Sequence, residues 1–152
     1  MFNRNKKVYK GDKEVYLKCL GGSAPSIFND YVESVEFDII RVSDDVKVGR
    51  CDIRLAEGIN EELYYAGNIG YRVYESFRGH SYAYQACLIL FDIIKKDYNR
   101  ESIIITCSPD NIPSKVTLEK LGGVLIEECD VPKNHYLYRR GETVKRIYEF
   151  KM

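Results

Sequence analysis

Two spacings of apolar residues alternate along this 152-residue chain. A step of two predicts strands, and steps of three and four predict helices. Glu14 to Leu20 (EVYLKCL) reads as a first strand, and Gly21-Gly22-Ser23-Ala24-Pro25 as the break after it. Ser26 to Tyr31 has the length of one short helix. Val35 to Val42 and Val46 to Leu55 are rich in β-branched residues, with Ser43-Asp44-Asp45 between them, the signal of a hairpin. Tyr64 to Val73 is the next expected strand.

The clearest helix spans Ser81 to Tyr98. Ala83, Cys87, Leu90, Phe91, Ile94 and Tyr98 fall on one face, Ser81 is placed to cap its start, and Lys95-Lys96 suits its C-terminal dipole. Ser102 to Cys107 (SIIITC) is a short apolar run of the kind found in strands covered on both faces. Pro109-Asp110-Asn111 ends it. Asp110 or Asn111 then caps a second helix that tolerates Pro113 in its first turn and closes at Gly122-Gly123. Val124 to Cys129 and Tyr136 to Phe150 supply further strands. The expected order is a run of antiparallel strands followed by β-α-β-α-β-β. That is an α+β fold with a mixed, mostly antiparallel sheet, because the β-α-β part needs a parallel crossover.

Composition narrows the function classes. The length suits one domain, residues 1–152, with a sizeable core. A formal net charge of +0 predicts neither a nucleic-acid nor a membrane partner. No apolar run approaches the roughly 20 residues of a membrane span, and the first residues lack the apolar stretch of a secretory signal. The five cysteines, Cys19, Cys51, Cys87, Cys107 and Cys129, are scattered without a CxxC pair. This pattern predicts buried, reduced thiols in a cytoplasmic protein and no metal site.

The most informative stretch runs from Gly70 to Ala83 (GYRVYESFRGHSYA). It reads as a strand, a short basic loop and a helix start. The first N–H groups of a helix have no intrahelical partner, and the macrodipole adds partial positive charge, so a phosphate or pyrophosphate fits there. Gly79 is the one glycine between Arg78 and Ala83. Neither a dinucleotide-binding G-x-G-x-x-G nor a Walker loop is present, and an ordinary strand-to-helix turn satisfies the same local pattern.

Val73 followed by Arg78-Gly79-His80-Ser81-Tyr82-Ala83 resembles the acetyl-CoA motif of the GNAT N-acetyltransferase superfamily. Asn111-Ile112-Pro113-Ser114, then Leu118-Glu119-Lys120-Leu121-Gly122, is similar to its branch of ribosomal-protein N-terminal acetyltransferases. The resemblance covers about Gly67 to Gly123. It implies a GNAT-like sheet with a splayed parallel strand pair at the acetyl-CoA site. It also implies cofactor contacts from Tyr71, Val73, Arg78, Gly79, His80, Ser81, Tyr82, Ala83, Asn111 and Ser114. An N–H near Val73 would polarise the thioester carbonyl. Two departures stand out. Ser81 replaces the usual glycine, and Leu118 stands where many members carry a tyrosine proposed to protonate the leaving thiolate. Ser114 is the hydroxyl left for that role, and it is the candidate catalytic residue.

The general base is not legible in the sequence. Glu75 reads as a solvated loop carboxylate, His80 as an exposed or phosphate-contacting loop residue, and His135 as a surface histidine that has the option of lining an amine pocket. Tyr64-Tyr65, Tyr136 and Tyr138 are candidates for the same pocket, although tyrosine also suits half-buried strands. Lys6-Lys7 and Arg139-Arg140 read as solvated.

The leading expectation is therefore an acetyl-CoA-dependent N-acetyltransferase in which a primary amine attacks the thioester directly. Its acceptor is a small molecule or a protein N-terminus, and a homodimer is compatible with it. A CoA-binding regulatory module with little catalysis is the alternative from another class. An acetyl-enzyme on Cys107 remains open as a variant mechanism.

Overall fold

The computed structural model describes residues 7–23, 33–55 and 61–152. The short helix expected over Ser26 to Tyr31 lies outside them, as do Lys6, Ala24 and Pro25. The chain forms β1 (Val8–Tyr9), β2 (Val15–Ser23), β3 (Ser34–Arg41), β4 (Lys47–Arg54), α1 (Glu61–Ala66), β5 (Ile69–Val73), α2 (Tyr82–Asp97), β6 (Ser102–Cys107), α3 (Ile112–Lys120), β7 (Val124–Asp130), α4 (Tyr136–Arg139) and β8 (Val144–Lys151). A single 3-10 turn, Glu75–Phe77, joins β5 to the loop before α2.

Strands β1 to β5 form an antiparallel meander in chain order, and β6-β8-β7 form a second antiparallel sheet. The expected hairpin is β3–β4, paired from Ser34↔Arg54 to Ile40↔Lys47. The core lies between the sheets and α2. Leu17, Phe37, Ile39, Ile53, Leu90, Ile94, Ile103, Ile105 and Tyr148 are fully buried there. Removing this much apolar surface from water is the main force holding the two sheets to the helix.

Four expectations change. Gly21 to Ser23 do not break the first strand. They continue β2 opposite Glu36, Val35 and Ser34, past a bulge at Cys19/Gly21 that uses glycine in place of a turn. Tyr64 to Ala66 belong to α1 and not to a strand, because Leu63 is drawn into the core and the Gly67 N–H closes the helix on the Leu63 carbonyl at 2.7 Å. Tyr136 to Arg139 likewise form a helical turn, since His135 Nδ1 accepts the Leu137 N–H at 3.1 Å and caps it. Ser102 to Cys107 is a strand, but only Ile103, Ile105 and Cys107 are buried, and Ile104 and Thr106 are half-buried. The small strand β1, where Tyr9 packs edge-on against Phe37 at 6.0 Å, has no clear periodic signal in the sequence.

The thiols are free and mostly buried. Cys19, Cys51, Cys87 and Cys107 are buried and Cys129 is half-buried. Burial pushes Cys87 up to about 12 and raises Cys51 well above the usual thiol value, so both stay protonated. Among the described residues, no helix is long and apolar enough to cross a membrane, and no cluster of metal-ligating side chains is present.

Candidate active site

The site grows from the junction of the two sheets. The Arg54 N–H donates to the Asn68 carbonyl at 2.7 Å, and the Tyr74 N–H donates to the Val48 carbonyl at 2.9 Å. Together with the register Asp52↔Gly70 and Arg50↔Arg72, these bonds fix the phase of the β4–β5 ladder. The even-numbered residues of β5 bond β4. Ile69, Tyr71 and Val73 turn their backbone groups the other way, toward β6. The same reasoning applies to β6. The Met152 N–H donates to the Glu101 carbonyl, so Ile103, Ile105 and Cys107 bond β8, while Ile104 and Thr106 face β5.

One clamp joins the two rows. The Asn68 N–H donates to the Ile104 carbonyl at 2.6 Å, and the Ile104 N–H donates to Asn68 Oδ1 at 2.8 Å. Beyond it, no backbone bond connects β5 to β6 among the described residues. Asn68 stands beside Ile104, and Tyr71 shares the cavity wall with Cys107, so the two strands advance in the same direction and part after the clamp. The Tyr71 and Val73 N–H groups look into the resulting slot, and the Val73 carbonyl is taken by Arg78 Nε at 3.0 Å.

At the far end of the slot is the basic loop. Gly79 has φ 90, and a Cβ there would meet nothing within 4 Å, so its requirement is one of backbone conformation. Ser81 is the residue before α2 and also lies in the left-handed region, with φ 61 and ψ 26. Its side chain makes no capping bond. The expected Ser81 cap is therefore absent, because the left-handed backbone turns the hydroxyl away from the first turn. Among the described residues, no backbone carbonyl faces the N–H groups of Gly79, His80 or Ser81. Arg78, Gly79, His80 and Ser81 are exposed, and His80 stacks on Tyr82 at 5.3 Å. The Tyr82 side chain is buried, and Ala83 is half-buried on the first turn. Glu75 is exposed, as expected.

The start of α3 closes the slot from the side. Asn111 Oδ1 accepts the Ser114 N–H at 3.3 Å and caps the helix, choosing Asn111 over Asp110. Tyr71 Oη donates to Ser114 Oγ at 3.0 Å. Burial raises Tyr71 above the usual phenol value, and the bond to Ser114 offsets part of that shift, so the phenol keeps its proton. Ser114 accepts from Tyr71, which leaves its own proton for a third partner. Leu118 is fully buried beneath α3, so a tyrosine at that position would point into the core. The resemblance implies a cofactor contact from Tyr71; what the sequence does not reveal is that its hydroxyl is coupled to Ser114.

Tyr71 and Ser114 border a cavity of about 290 Å³ that continues to Gly70, Arg54, Tyr136 and Lys145. Side chains alternate along β5, so Tyr71 and Gly70 belong to opposite faces of the sheet. The cavity therefore passes through the slot from one face to the other. A Cβ at Gly70 would lie 2.5 Å from Asp52 Oδ1 and 2.6 Å from an Arg54 nitrogen, so this glycine makes room for the Asp52–Arg54 pair.

The aromatic candidates separate. Tyr136 lines the cavity, whereas Tyr64, Tyr65 and Tyr138 do not. Tyr64 donates to Glu127 and packs edge-on against Tyr65. Tyr65 in turn packs against His135 at 5.4 Å. His135 is buried at 4 % exposure and is not the surface residue expected. Its Nδ1 accepts the Leu137 N–H and its Nε2 lies 3.0 Å from Glu62, so both nitrogens serve the fold. Arg139 and Arg140 are exposed, with Arg140 also lying over the Tyr136 ring at 5.0 Å.

Known proteins can now be set beside this geometry. The model of the acetyltransferase (GNAT) domain matches residues 23–124. None of the curated protein sequences matches the chain. Among solved structures, a GNAT-family acetyltransferase from Bacillus anthracis superposes with a TM-score of 0.58 at 22% identity, over 76% of this chain and 65% of that one. Ribosomal-protein-S5-alanine acetyltransferase from Vibrio fischeri gives 0.62 at 20% identity, over 78% and 61%. The microcin C7 self-immunity acetyltransferase, solved with acetyl-CoA and AMP, gives 0.60 at 17% identity, over 78% and 61%. The chain thus spans less than two thirds of the length of these structures, and likeness at this identity establishes the α+β fold they share. With the family model covering most of the chain and the splayed strands beneath it, the protein belongs to the GNAT acetyltransferase family.

Proposed function

We propose that this protein is an acetyl-CoA-dependent N-acetyltransferase acting on a primary amine by direct attack in a ternary complex. The observation that supports it most is the slot, in which Tyr71 and Val73 turn unpaired N–H groups toward β6 and an uncapped helix start lies at the far end. These residues suit a long chain of amides ending in a pyrophosphate. The Val73 N–H would pair with one of the amides. The N–H groups from Gly79 to Ala83, with Arg78 beside them, would hold the phosphates. When bound, acetyl-CoA supplies an activated acyl carbon.

The chain's own groups then have separate tasks. The Tyr71 N–H, at the cavity, donates toward the thioester carbonyl as negative charge grows on its oxygen. The slot aligns donor and amine at attack distance. Ser114 would give its proton to the departing thiolate and Tyr71 would refill it through the 3.0 Å bond, while the proton lost by the attacking amine returns through water to Tyr71. His135 takes no part, since both of its ring nitrogens are engaged. Cys107 is buried, and burial raises its thiol above the usual value, which disfavours an acetyl-enzyme.

Thiol release across an amine panel tests the reading, with calorimetry of acetyl-CoA binding beside it. Ser114→Ala and Tyr71→Phe should each lower kcat by roughly tenfold or more while leaving acetyl-CoA affinity nearly unchanged, the pattern of an interaction made in the transition state. A rise in KM at constant kcat would reduce Ser114 to a binding contact. Saturable acetyl-CoA binding without thiol release from any amine would favour the regulatory module instead.

A further inference from the structure

Asn68, the residue before β5, divides its four polar atoms evenly between two strands. The Ile53↔Ile69 register places it opposite Arg54 of β4. An ordinary antiparallel partner at that position would exchange two backbone bonds with Arg54. Asn68 keeps one of them, its carbonyl accepting the Arg54 N–H at 2.7 Å, but its own N–H turns to the Ile104 carbonyl of β6 at 2.6 Å. The side chain fills both places that this leaves. Its Nδ2 donates to the Arg54 carbonyl at 2.9 Å, and its Oδ1 accepts the Ile104 N–H at 2.8 Å. These partners fix the orientation of the amide, because the reverse would set carbonyl against carbonyl and N–H against N–H. Gly67 permits the close approach, since a Cβ there would lie 3.2 Å from both the Ile104 oxygen and the Thr106 nitrogen.

The clamp joins two parts of the molecule that hold the two site hydroxyls separately. Tyr71 stands on β5 of the first sheet, and Ser114 stands on α3, which follows β6 of the second. We infer that Asn68 is a positioning residue for acetyl transfer: by fixing where β5 and β6 part, it holds the Tyr71 hydroxyl at bonding distance from Ser114. The inference rests on the acetyltransferase reading and adds to it the group that sets the geometry of the hydroxyl pair. Tyr71 lies three residues past the clamp, roughly 10 Å along the strand, so a change of angle at Asn68 is carried directly to the pair. A displacement of about 1 Å at a reacting group is worth on the order of 100-fold in rate. The cofactor is anchored independently. Val73 stays paired with Gly49 of β4, and the Arg78–Ala83 loop leads into α2, which packs on β2 and β5. Loosening the clamp therefore disturbs the hydroxyl pair without releasing acetyl-CoA.

Two substitutions test this. Asn68→Ala removes both side-chain bonds, whereas Asn68→Asp keeps an acceptor for Ile104 and loses the donor to Arg54. Asn68→Ala should lower kcat by about tenfold or more, while acetyl-CoA affinity in calorimetry stays within about threefold of the wild type. Asn68→Asp should fall between the two. Because Asn68 acts through the hydroxyl pair, Asn68→Ala added to Ser114→Ala should lower kcat by no more than about a further threefold. A wild-type kcat alongside a lower melting temperature would make the clamp purely structural and overturn the inference. Full additivity with Ser114→Ala, or a loss of affinity equal to the loss of kcat, would overturn it as well. If Asn68→Ala does not fold, Asn68→Asp is put through the same comparisons, and failure of both to fold overturns the inference. A wild type that releases no thiol, or a Ser114→Ala variant with wild-type kcat, would count against the proposed function. The clamp is then judged by NMR: Asn68→Ala should shift the Tyr71 and Ser114 amide resonances, and unmoved resonances overturn the inference.

Discussion

The two helices that border the slot begin in opposite ways. Helix α3 starts with its own side-chain cap, the Asn111 amide accepting the Ser114 N–H. Helix α2 starts behind Ser81 in the left-handed region, without a side-chain cap. A helix start that satisfies itself has less to offer an anion. One left open, after a loop whose N–H groups also lack backbone partners, is suited to receive a ligand. On the proposed reading the two motifs would have separate work. The Arg78–Ala83 motif would bind through its backbone, whereas the Asn111–Ser114 motif uses side chains to fix one hydroxyl beside Tyr71.

The comparison breaks most directly at the open start. Proline cannot adopt the φ of 90 at Gly79, and Gly79→Pro also removes an N–H from the loop. Ala83→Asp places a carboxylate in the first turn, where phosphates are expected to lie. Each should weaken acetyl-CoA binding by about 100-fold or more in calorimetry, since juxtaposed like charges or a lost cradle cost several kcal/mol. The far-UV circular dichroism should stay native. Wild-type affinity in Ala83→Asp would place the phosphates elsewhere.

The capped start should respond differently. Asn111→Ala removes the side-chain cap and should cost about 1 kcal/mol of stability, roughly 2–4 °C in melting temperature for a chain of this size. Acetyl-CoA affinity should fall by at most about tenfold, the scale of one lost hydrogen bond. A loss of affinity matching that of Ala83→Asp, with stability intact, would move the anion site to α3 and reverse the comparison.

Much of this division was legible in the sequence, and the gaps have physical causes. Strong periodicity located α2 and the β3–β4 hairpin, and turn residues located α3, because local preference and tertiary burial agree there. Tyr64-Tyr65 and Tyr136 suggested strands by propensity, yet the Leu63 anchor and the His135 cap make helices of both segments. The clamp at Asn68 and the Tyr71–Ser114 bond join residues 36 and 43 positions apart, beyond the reach of any local pattern. Ser81 was read as a cap from its residue type alone. Its role depends on a backbone angle that residue type does not reveal.

That angle gives the smallest and sharpest test. A serine at φ 61 bears a left-handed backbone that costs a non-glycine residue about 1–2 kcal/mol. Glycine would relieve this cost but adds unfolded-state freedom worth roughly 0.5–1 kcal/mol. Ser81→Gly should therefore raise stability by only about 0.5 kcal/mol, near the lower limit of a careful denaturant titration. It keeps the backbone N–H and removes a hydroxyl that makes no capping bond, so acetyl-CoA affinity should hold or improve slightly. A clear loss of affinity would show that the Ser81 hydroxyl itself contacts the ligand, and the open helix start would then be partly a side-chain device, like its neighbour.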